Sequence, residues 1–328
     1  MIKLEGFTIY APVKQGRTRS YQNIQDPDAV DLEVVESLQS PKHVVFPQRE
    51  VLFRCDETTD RGPEYRETLP EEGEQLIFGI RPCDAAAFVR LDKVFGGEFP
   101  DPYYLRRRKN TLLVGLGCVS PPSTSCFCTS VGGAPHDKTG LDVLLTDLGD
   151  TYFVESFTPR GAQIMDFPGK LFRVPKNEER QELRRVHADS IAKIRLEIKK
   201  AATISSRLRK KFDSPVWQAE AERCIRCGIC TYMCPSCHCF DITDEVDSES
   251  PLSGKRVRNW DNCQFPDFTM HSSGHNPRPD KDSRLRRRVL HKFLYFVETH
   301  GDYLCTGCGR CIAKCPVGID IVEILNKV

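Results

Sequence analysis

Cysteines are the residues of this sequence whose type and spacing could do chemistry. The chain has 328 residues and 16 cysteines, and the stretch CIRCGICTYMCPSCHC at residues 224–239 holds six of them. Thiolates bind soft metal ions, exchange with disulfides and attack electrophiles. The spacing between neighbouring cysteines distinguishes these uses.

The spacing C-x2-C-x2-C-x3-C-P occurs twice, as CIRCGICTYMCP from residue 224 and as CTGCGRCIAKCP from residue 305. This is the ligand spacing of bacterial iron–sulfur ferredoxins. Soft thiolates stabilise tetrahedral iron, and two-residue spacers let one loop bind three irons of a cluster. In two-cluster ferredoxins the fourth cysteine of each motif binds the other cluster.

Crossed ligation of this kind predicts two [4Fe–4S] clusters. The ligands of the first cluster would be Cys224, Cys227, Cys230 and Cys315. The ligands of the second would be Cys305, Cys308, Cys311 and Cys234. A pair of zinc sites is the alternative, but zinc takes four ligands and gives no reason for the third cysteine and the proline of each motif. Two neighbouring clusters are suited to passing single electrons.

Composition indicates the compartment in which these thiols work. The formal net charge is +1, with 39% hydrophobic and 28% charged residues, which is typical of a soluble globular protein. The amino-terminal stretch MIKLEGFTIYAPVKQGRTRS lacks a secretory signal, and no apolar run reaches membrane-spanning length. We therefore expect a cytoplasmic protein that does not span a membrane and whose thiols serve metals or catalysis.

The region 1–175 is predicted to be a mixed α/β domain. Apolar runs that favour strands are HVVF at 43–46, QLIFGI at 75–80 and TLLVGLG at 111–117, and two more strands are predicted within 141–158. RPCDAAAFVRLDKVF follows QLIFGI and favours a helix, because a proline suits its first turn and alanines suit its interior.

A second set of cysteines lies in this domain. Cys83 follows the strand QLIFGI, Cys118 follows TLLVGLG, and Cys126 and Cys128 lie in the next loop. Loops at the carboxyl ends of parallel strands share one crevice, so these thiols are expected to meet there. Four converging thiols indicate a third iron–sulfur site, with simple packing of buried thiols as the alternative. Packing is the expected role of Cys55.

The rest of the chain is predicted to be a linker and a cluster domain. Residues 176–214 form the linker, with one long amphipathic helix across 177–211. Residues 215–328 are predicted to be a bacterial dicluster ferredoxin-like domain, mainly α-helical, with an insertion at 240–300.

Two parts of the insertion differ in character. Residues 244–280 are rich in Pro, Gly, Ser and Asp and are expected to be a loop. Residues 282–298 are predicted to be an amphipathic helix with a basic face. That face could be solvated or could contact an acidic partner.

Several motifs together resemble one family. GIRPCDAAA, CFCTSVGG, CPSCHCFD, WDNCQF, HSSGHNPRP and CTGCGRCIAKCPVGIDI are similar to those of 4Fe–4S dicluster proteins such as the beta subunits of sulfhydrogenases and the iron–sulfur subunits of anaerobic sulfite reductases. Similar proteins accompany heterodisulfide-reductase-type complexes. The resemblance implies a hetero-oligomeric complex, in which this chain carries electrons between a flavin and NAD(P)H-binding subunit on one side and a terminal catalytic subunit on the other.

Other residues of these shared motifs have open roles. Cys237, Cys239 and Cys263 invite a further metal site, but three thiols are one short, and His238 or another cysteine would have to complete it. Contact with the two clusters, without ligation, is the alternative. VGLGCVS lacks the third glycine of a dinucleotide-binding loop, so no flavin or NAD site is assigned to this chain.

Two functional hypotheses follow. The first is an electron-relay subunit without catalytic residues of its own, whose terminal partner is a hydrogenase, a sulfite or sulfur reductase, or a heterodisulfide reductase. The second is a subunit that reduces sulfur or a disulfide itself, with Cys126 and Cys128 as a catalytic dithiol or as part of a catalytic cluster. A near-zero net charge without interleaved aromatic and basic residues argues against nucleic-acid binding.

Overall fold

The computed structural model describes residues 6–16, 18–33, 37, 39–58, 62–166, 171–247 and 253–328. The strands are β1 (Phe7–Gln15), β2 (Thr18–Asn23), β3 (Arg49–Thr58), β4 (Gly62–Glu67), β5 (Glu74–Ile80), β6 (Thr111–Leu116), β7 (Val143–Asp147), β8 (Tyr152–Ser156), β9 (Phe240–Val246) and β10 (Gly254–Trp260). The helices are α1 (Pro82–Phe95), α2 (Pro102–Lys109), α3 (Pro159–Met165), α4 (Asn177–Ala192), α5 (Ile204–Lys210), α6 (Val216–Ala221), α7 (Ile229–Tyr232), α8 (Lys281–Leu290), α9 (Phe296–His300), α10 (Arg310–Ala313) and α11 (Ile321–Lys327).

The first sheet has the strand order β2-β1-β5-β6-β7-β8 among the described residues. Strands β1, β5, β6 and β7 are parallel, and β2 and β8 pair antiparallel at the two edges. Strand β6 is buried along its whole length, which explains its uninterrupted apolar sequence. The strands predicted at QLIFGI, at TLLVGLG and within 141–158 are confirmed.

Helix α1 connects β5 to the rest of the first region and covers one face of this sheet. Its first residue is Pro82, and Ala85, Ala87 and Phe88 are fully buried. Small alanine side chains let the helix approach the sheet closely, where Phe88 packs with Ile77 in one core cluster. The predicted helix is therefore confirmed, and it begins directly at the carboxyl end of β5.

A second sheet joins the first region to the insertion, with the order β4-β3-β10-β9. The loop predicted for 244–280 is therefore wrong where β10 forms. The inward face of β10 carries Arg258, which is buried and paired with Glu50 and Asp101. An ion-pair network occupies a position at which a buried strand normally has an apolar residue. The sequence of β10 therefore has the polar character of a loop.

Two further predicted elements differ from the structure. HVVF at 43–46 is not a strand, because a 3₁₀ turn occupies Pro41–Val44, capped by the Ser40 hydroxyl. Its valines and Phe46 are nevertheless buried in the core. The single helix predicted across 177–211 is divided into α4 and α5, with Lys200 between them in the left-handed conformation at φ 53°.

The carboxyl-terminal helices surround a separate core. Trp217, Phe293 and Ile324 are buried together there, and the described part of the chain has no helix with the length and apolar character needed to cross a membrane. The division of the chain near residues 175 and 215 stays a prediction, since the second sheet connects strands from both sides of it.

The helix predicted at 282–298 is confirmed, with one irregular turn. Helix α8 continues through a π turn at His291–Tyr295 into α9. The carbonyl groups of Lys292 and Phe293 in this turn accept from the Leu304 N–H at 3.0 Å and the Ser205 hydroxyl at 2.6 Å. Arg284, Arg288 and Lys292 of the predicted basic face are buried, so this part of the face points into the protein.

Candidate iron–sulfur sites

The first candidate site is a cavity at the start of α7. Its walls include five thiols, which belong to Cys224, Cys227, Cys230, Cys311 and Cys315. The first motif and the last cysteine of the second motif thus face the same space. This is the set that crossed ligation predicts for the first cluster, with Cys311 in addition. Ligation itself stays a prediction.

The loop of the first motif is held by the neighbouring WDNCQF segment. Gly228 adopts φ 78°, and its carbonyl accepts from Asn262 Nδ2 at 2.7 Å. A Cβ atom at residue 228 would lie 2.4 Å from that nitrogen, so only glycine fits. On the opposite wall the Ile319 N–H donates to Cys315 Sγ at 3.2 Å, a contact that stabilises a thiolate.

The second candidate site is more deeply buried. Cys234 is 7% exposed and Cys305 is 8% exposed. Cys234 interacts electrostatically with Cys305, Cys308 and Cys311, so the predicted second ligand set is also brought together. The Gly307 N–H donates to Cys305 Sγ at 3.4 Å.

The chemistry of these donors fits an iron–sulfur cluster. Burial raises the pKa of Cys230 to about 11 and that of Cys311 to about 12, so these thiols keep their protons until a bound cation displaces them. Among the described residues, no three Cys, His, Asp or Glu side chains converge on a point that could hold a single metal ion. The thiols instead line the walls of cavities, as ligands to separate irons of one cluster would.

The third candidate site is a cavity at the carboxyl ends of β5 and β6. Its thiols are those of Cys83, Cys118, Cys126 and Cys128, and Cys308 of the second motif also lines it. Neighbouring parallel strands deliver the first two thiols, as expected from the sheet. Burial raises the pKa of Cys83, Cys118 and Cys128.

The third site packs directly against the second motif. The Phe127 N–H donates to the Gly307 carbonyl at 2.8 Å, and Cys126 Sγ donates to the Cys308 carbonyl at 3.7 Å. A Cβ atom at residue 307 would lie 2.5 Å from the Cys128 Cα, so two backbones meet here with no room for a side chain. The second and third sites therefore share a wall.

A buried ion pair joins helix α1 to the second motif, and no pattern in the sequence indicates it. Asp84 of α1 is fully buried, and its carboxylate accepts from Arg310 Nη1 at 2.6 Å and Nη2 at 2.8 Å. Asp84 is also favoured by the helix dipole, because it is an acidic residue in the first turn of α1. Arg310 follows the Gly309 of the second motif, and only the fold reveals that the two residues meet.

Cys237, Cys239 and Cys263 do not line the first or the third cavity. The thiols of Cys239 and Cys263 contact each other, and Cys237 Sγ accepts from Arg288 Nη1 at 3.5 Å. His238 packs between the rings of Phe95 and His291, at centroid distances of 6.2 and 5.5 Å. A further metal site on these residues stays a prediction.

Comparisons with known proteins identify an iron–sulfur domain in this part of the chain. Residues 223–319 match a 4Fe-4S dicluster domain. The chain is 30% identical over 323 residues to sulfhydrogenase 2 subunit beta of Pyrococcus furiosus, an alignment that covers 98% of this chain and 92% of the relative. No solved structure matches the chain.

Proposed function

This chain belongs to the sulfhydrogenase beta-subunit family with a 4Fe-4S dicluster domain, and on that premise we propose that it is the electron-relay subunit of a multisubunit oxidoreductase. Electrons would come from a flavin and NAD(P)H-binding subunit. They would leave to a terminal catalytic subunit, which is a hydrogenase, a sulfite or sulfur reductase, or a heterodisulfide reductase. The chain itself would work in the cytoplasm.

One observation carries the proposal: the second thiol set touches both of the others. Cys311 lines the first cavity, and Cys308 lines the third. Clusters held at these positions would be neighbours, with the second, middle set next to both of the others. Neighbouring clusters are suited to passing electrons from one partner of the chain to another.

The chain's own residues would hold the clusters and control their surroundings. A bound [4Fe–4S] cluster accepts and releases one electron at a time. The first set lies nearest to solvent, since Cys227 is exposed and the neighbouring Ile225 is 59% exposed. In the second set the thiols of Cys234 and Cys305 are buried, which limits the access of water to this site. We therefore place the contact with one partner beside Cys227.

We also propose that the third thiol set binds a cluster. Anaerobically purified protein should then contain about twelve irons and as much labile sulfide, against about eight if only the ferredoxin motifs bind clusters. Cys118→Ser should lower the iron content by about four and leave the spectra of the other clusters unchanged. If the Cys118→Ser variant keeps its full iron content and loses only catalytic turnover, a catalytic thiol would be favoured over a cluster ligand.

The relay role is tested by supplying electrons with and without a flavoprotein. NADPH alone should leave the visible absorbance of the purified chain unchanged. A flavoprotein that oxidises NADPH and releases single electrons should bleach it, because the chain has clusters to reduce but no assigned nicotinamide site. Rapid oxidation of NADPH by the isolated chain would contradict the proposal.

A further inference from the structure

Three buried cations contact the segment that carries Cys234, a thiol of the middle set. Lys42 and Lys292 are each 2% exposed and Arg288 is 5% exposed. Lys42 lies on the 3₁₀ turn of the first region, whereas Arg288 and Lys292 lie one turn apart on the helix that begins at Lys281. Burying a cation is costly unless an opposite charge lies close to it.

Their polar contacts converge on the segment from Cys230 to Cys237. Lys292 Nζ lies 3.3 Å from Cys234 Sγ and 3.1 Å from the Ser236 hydroxyl. Arg288 donates to Cys237 Sγ at 3.5 Å and to the Cys230 carbonyl at 2.5 Å. Lys42 donates to the Cys237 carbonyl at 2.9 Å.

Sulfur atoms of this segment lie within hydrogen-bond distance of two of these cations, Arg288 and Lys292. Cys234 and Cys237 interact electrostatically with all three cations, and Cys305 interacts with Lys292 as well, which offsets part of the burial that lowers the pKa of Lys42. Arg310 makes the contrast clear, because it lies beside Cys308 but is paired with the carboxylate of Asp84. The charge of Arg310 is thus offset by a carboxylate, whereas Arg288 and Lys292 contact sulfur, carbonyl and hydroxyl groups.

The π turn determines the position of one of these cations, Lys292. It inserts an extra residue into the helix, and π turns of this kind are frequent at functional sites. The turn runs from His291 to Tyr295 and includes Lys292. Two carbonyl groups of this turn accept hydrogen bonds from Leu304 and Ser205. These bonds stabilise the irregular backbone geometry at which Lys292 contacts Cys234.

We propose that Lys42, Arg288 and Lys292 form a buried cation cluster that raises the reduction potential of the middle cluster. The proposal rests on the relay function and on the ligand set Cys234, Cys305, Cys308 and Cys311. Each electron that arrives from one neighbouring site adds one negative charge there, and the same electron then leaves to the other neighbour. Fixed positive charges stabilise the reduced state more than the oxidised state.

The test is Lys292→Met, which removes the charge and keeps the length of the side chain. Redox titration of the complete, cluster-loaded chain, followed by electron paramagnetic resonance, should show that one cluster becomes harder to reduce. We expect the ratio of reduced to oxidised cluster at a fixed potential to fall about tenfold, or about 59 mV for a one-electron couple. Arg286→Met is the matched control, since Arg286 lies on the same helix but contacts Phe212.

The outcomes separate this inference from the relay proposal. A wild-type chain without the eight irons of the two ferredoxin motifs would overturn the ligand assignment. Full iron with a ratio that changes less than twofold in Lys292→Met would overturn the cation cluster alone. If Lys292→Met loses iron, Lys42→Met decides, because Lys42 contacts a carbonyl of this segment and not a ligand thiol. Lys42→Met should make the same cluster harder to reduce. An unchanged ratio of reduced to oxidised cluster in this variant would again contradict the inference.

Discussion

Replacing Cys315 by serine is expected to remove about four irons, although the three thiols that lose their cluster lie far away in sequence, at Cys224, Cys227 and Cys230. Cys315 shares a cavity with these residues. A serine hydroxyl is a harder and weaker ligand for iron than a thiolate. The measurement is iron and labile sulfide per chain after anaerobic purification, together with the spectra of the remaining clusters.

Double replacements show which thiols act together. If Cys315 and Cys224 hold one cluster, Cys315→Ser with Cys224→Ser should lose no more iron than either single change. Cys315→Ser with Cys305→Ser should lose about eight irons, because these residues belong to different clusters. Ligation within each motif would give the reverse pattern. Cys55→Ser is the control, since Cys55 lies on β3, away from these cavities.

The parts of the site that could be predicted from the sequence are those fixed by short-range spacing and by strand order. The repeated cysteine motif defines two loops without knowledge of the fold. The meeting of Cys83 and Cys118 follows from two parallel strands, because their carboxyl ends lie at one edge of the sheet. Both inferences needed only local patterns and one rule of topology.

The buried charges could not be predicted in the same way. The period of the helix that contains Arg288 shows that its basic residues share a face, but a basic face normally meets solvent. Arg288 can be buried because the Cys230 carbonyl, the Thr231 hydroxyl and Cys237 Sγ accept from its guanidinium, and these groups lie on another segment. Strand β10 could not be predicted for a similar reason, because Arg258 pairs with Glu50 and Asp101, which lie far from it in the sequence.

Asp84→Asn is expected to destabilise the protein strongly. The change keeps the shape of the side chain but removes the carboxylate charge that pairs with Arg310, whose side chain is 3% exposed. Removing one partner of a buried ion pair costs about 3–5 kcal/mol, because the other charge remains without compensation. The free energy of unfolding, from urea denaturation of the cluster-loaded protein under anaerobic conditions, measures the loss.

Two comparisons identify the cause of that loss. Asp244→Asn removes a carboxylate that also pairs with an arginine, but its side chain is 59% exposed, so solvent screens the pair and the expected cost is much smaller than for Asp84→Asn. Combining Asp84→Asn with Arg310→Met removes both buried charges and should recover part of the stability. A loss in Asp84→Asn no larger than in Asp244→Asn would contradict the role of this pair. The pair joins α1, which carries Cys83, to the second cysteine motif, so its strength bears directly on how firmly the second and third sites are held together.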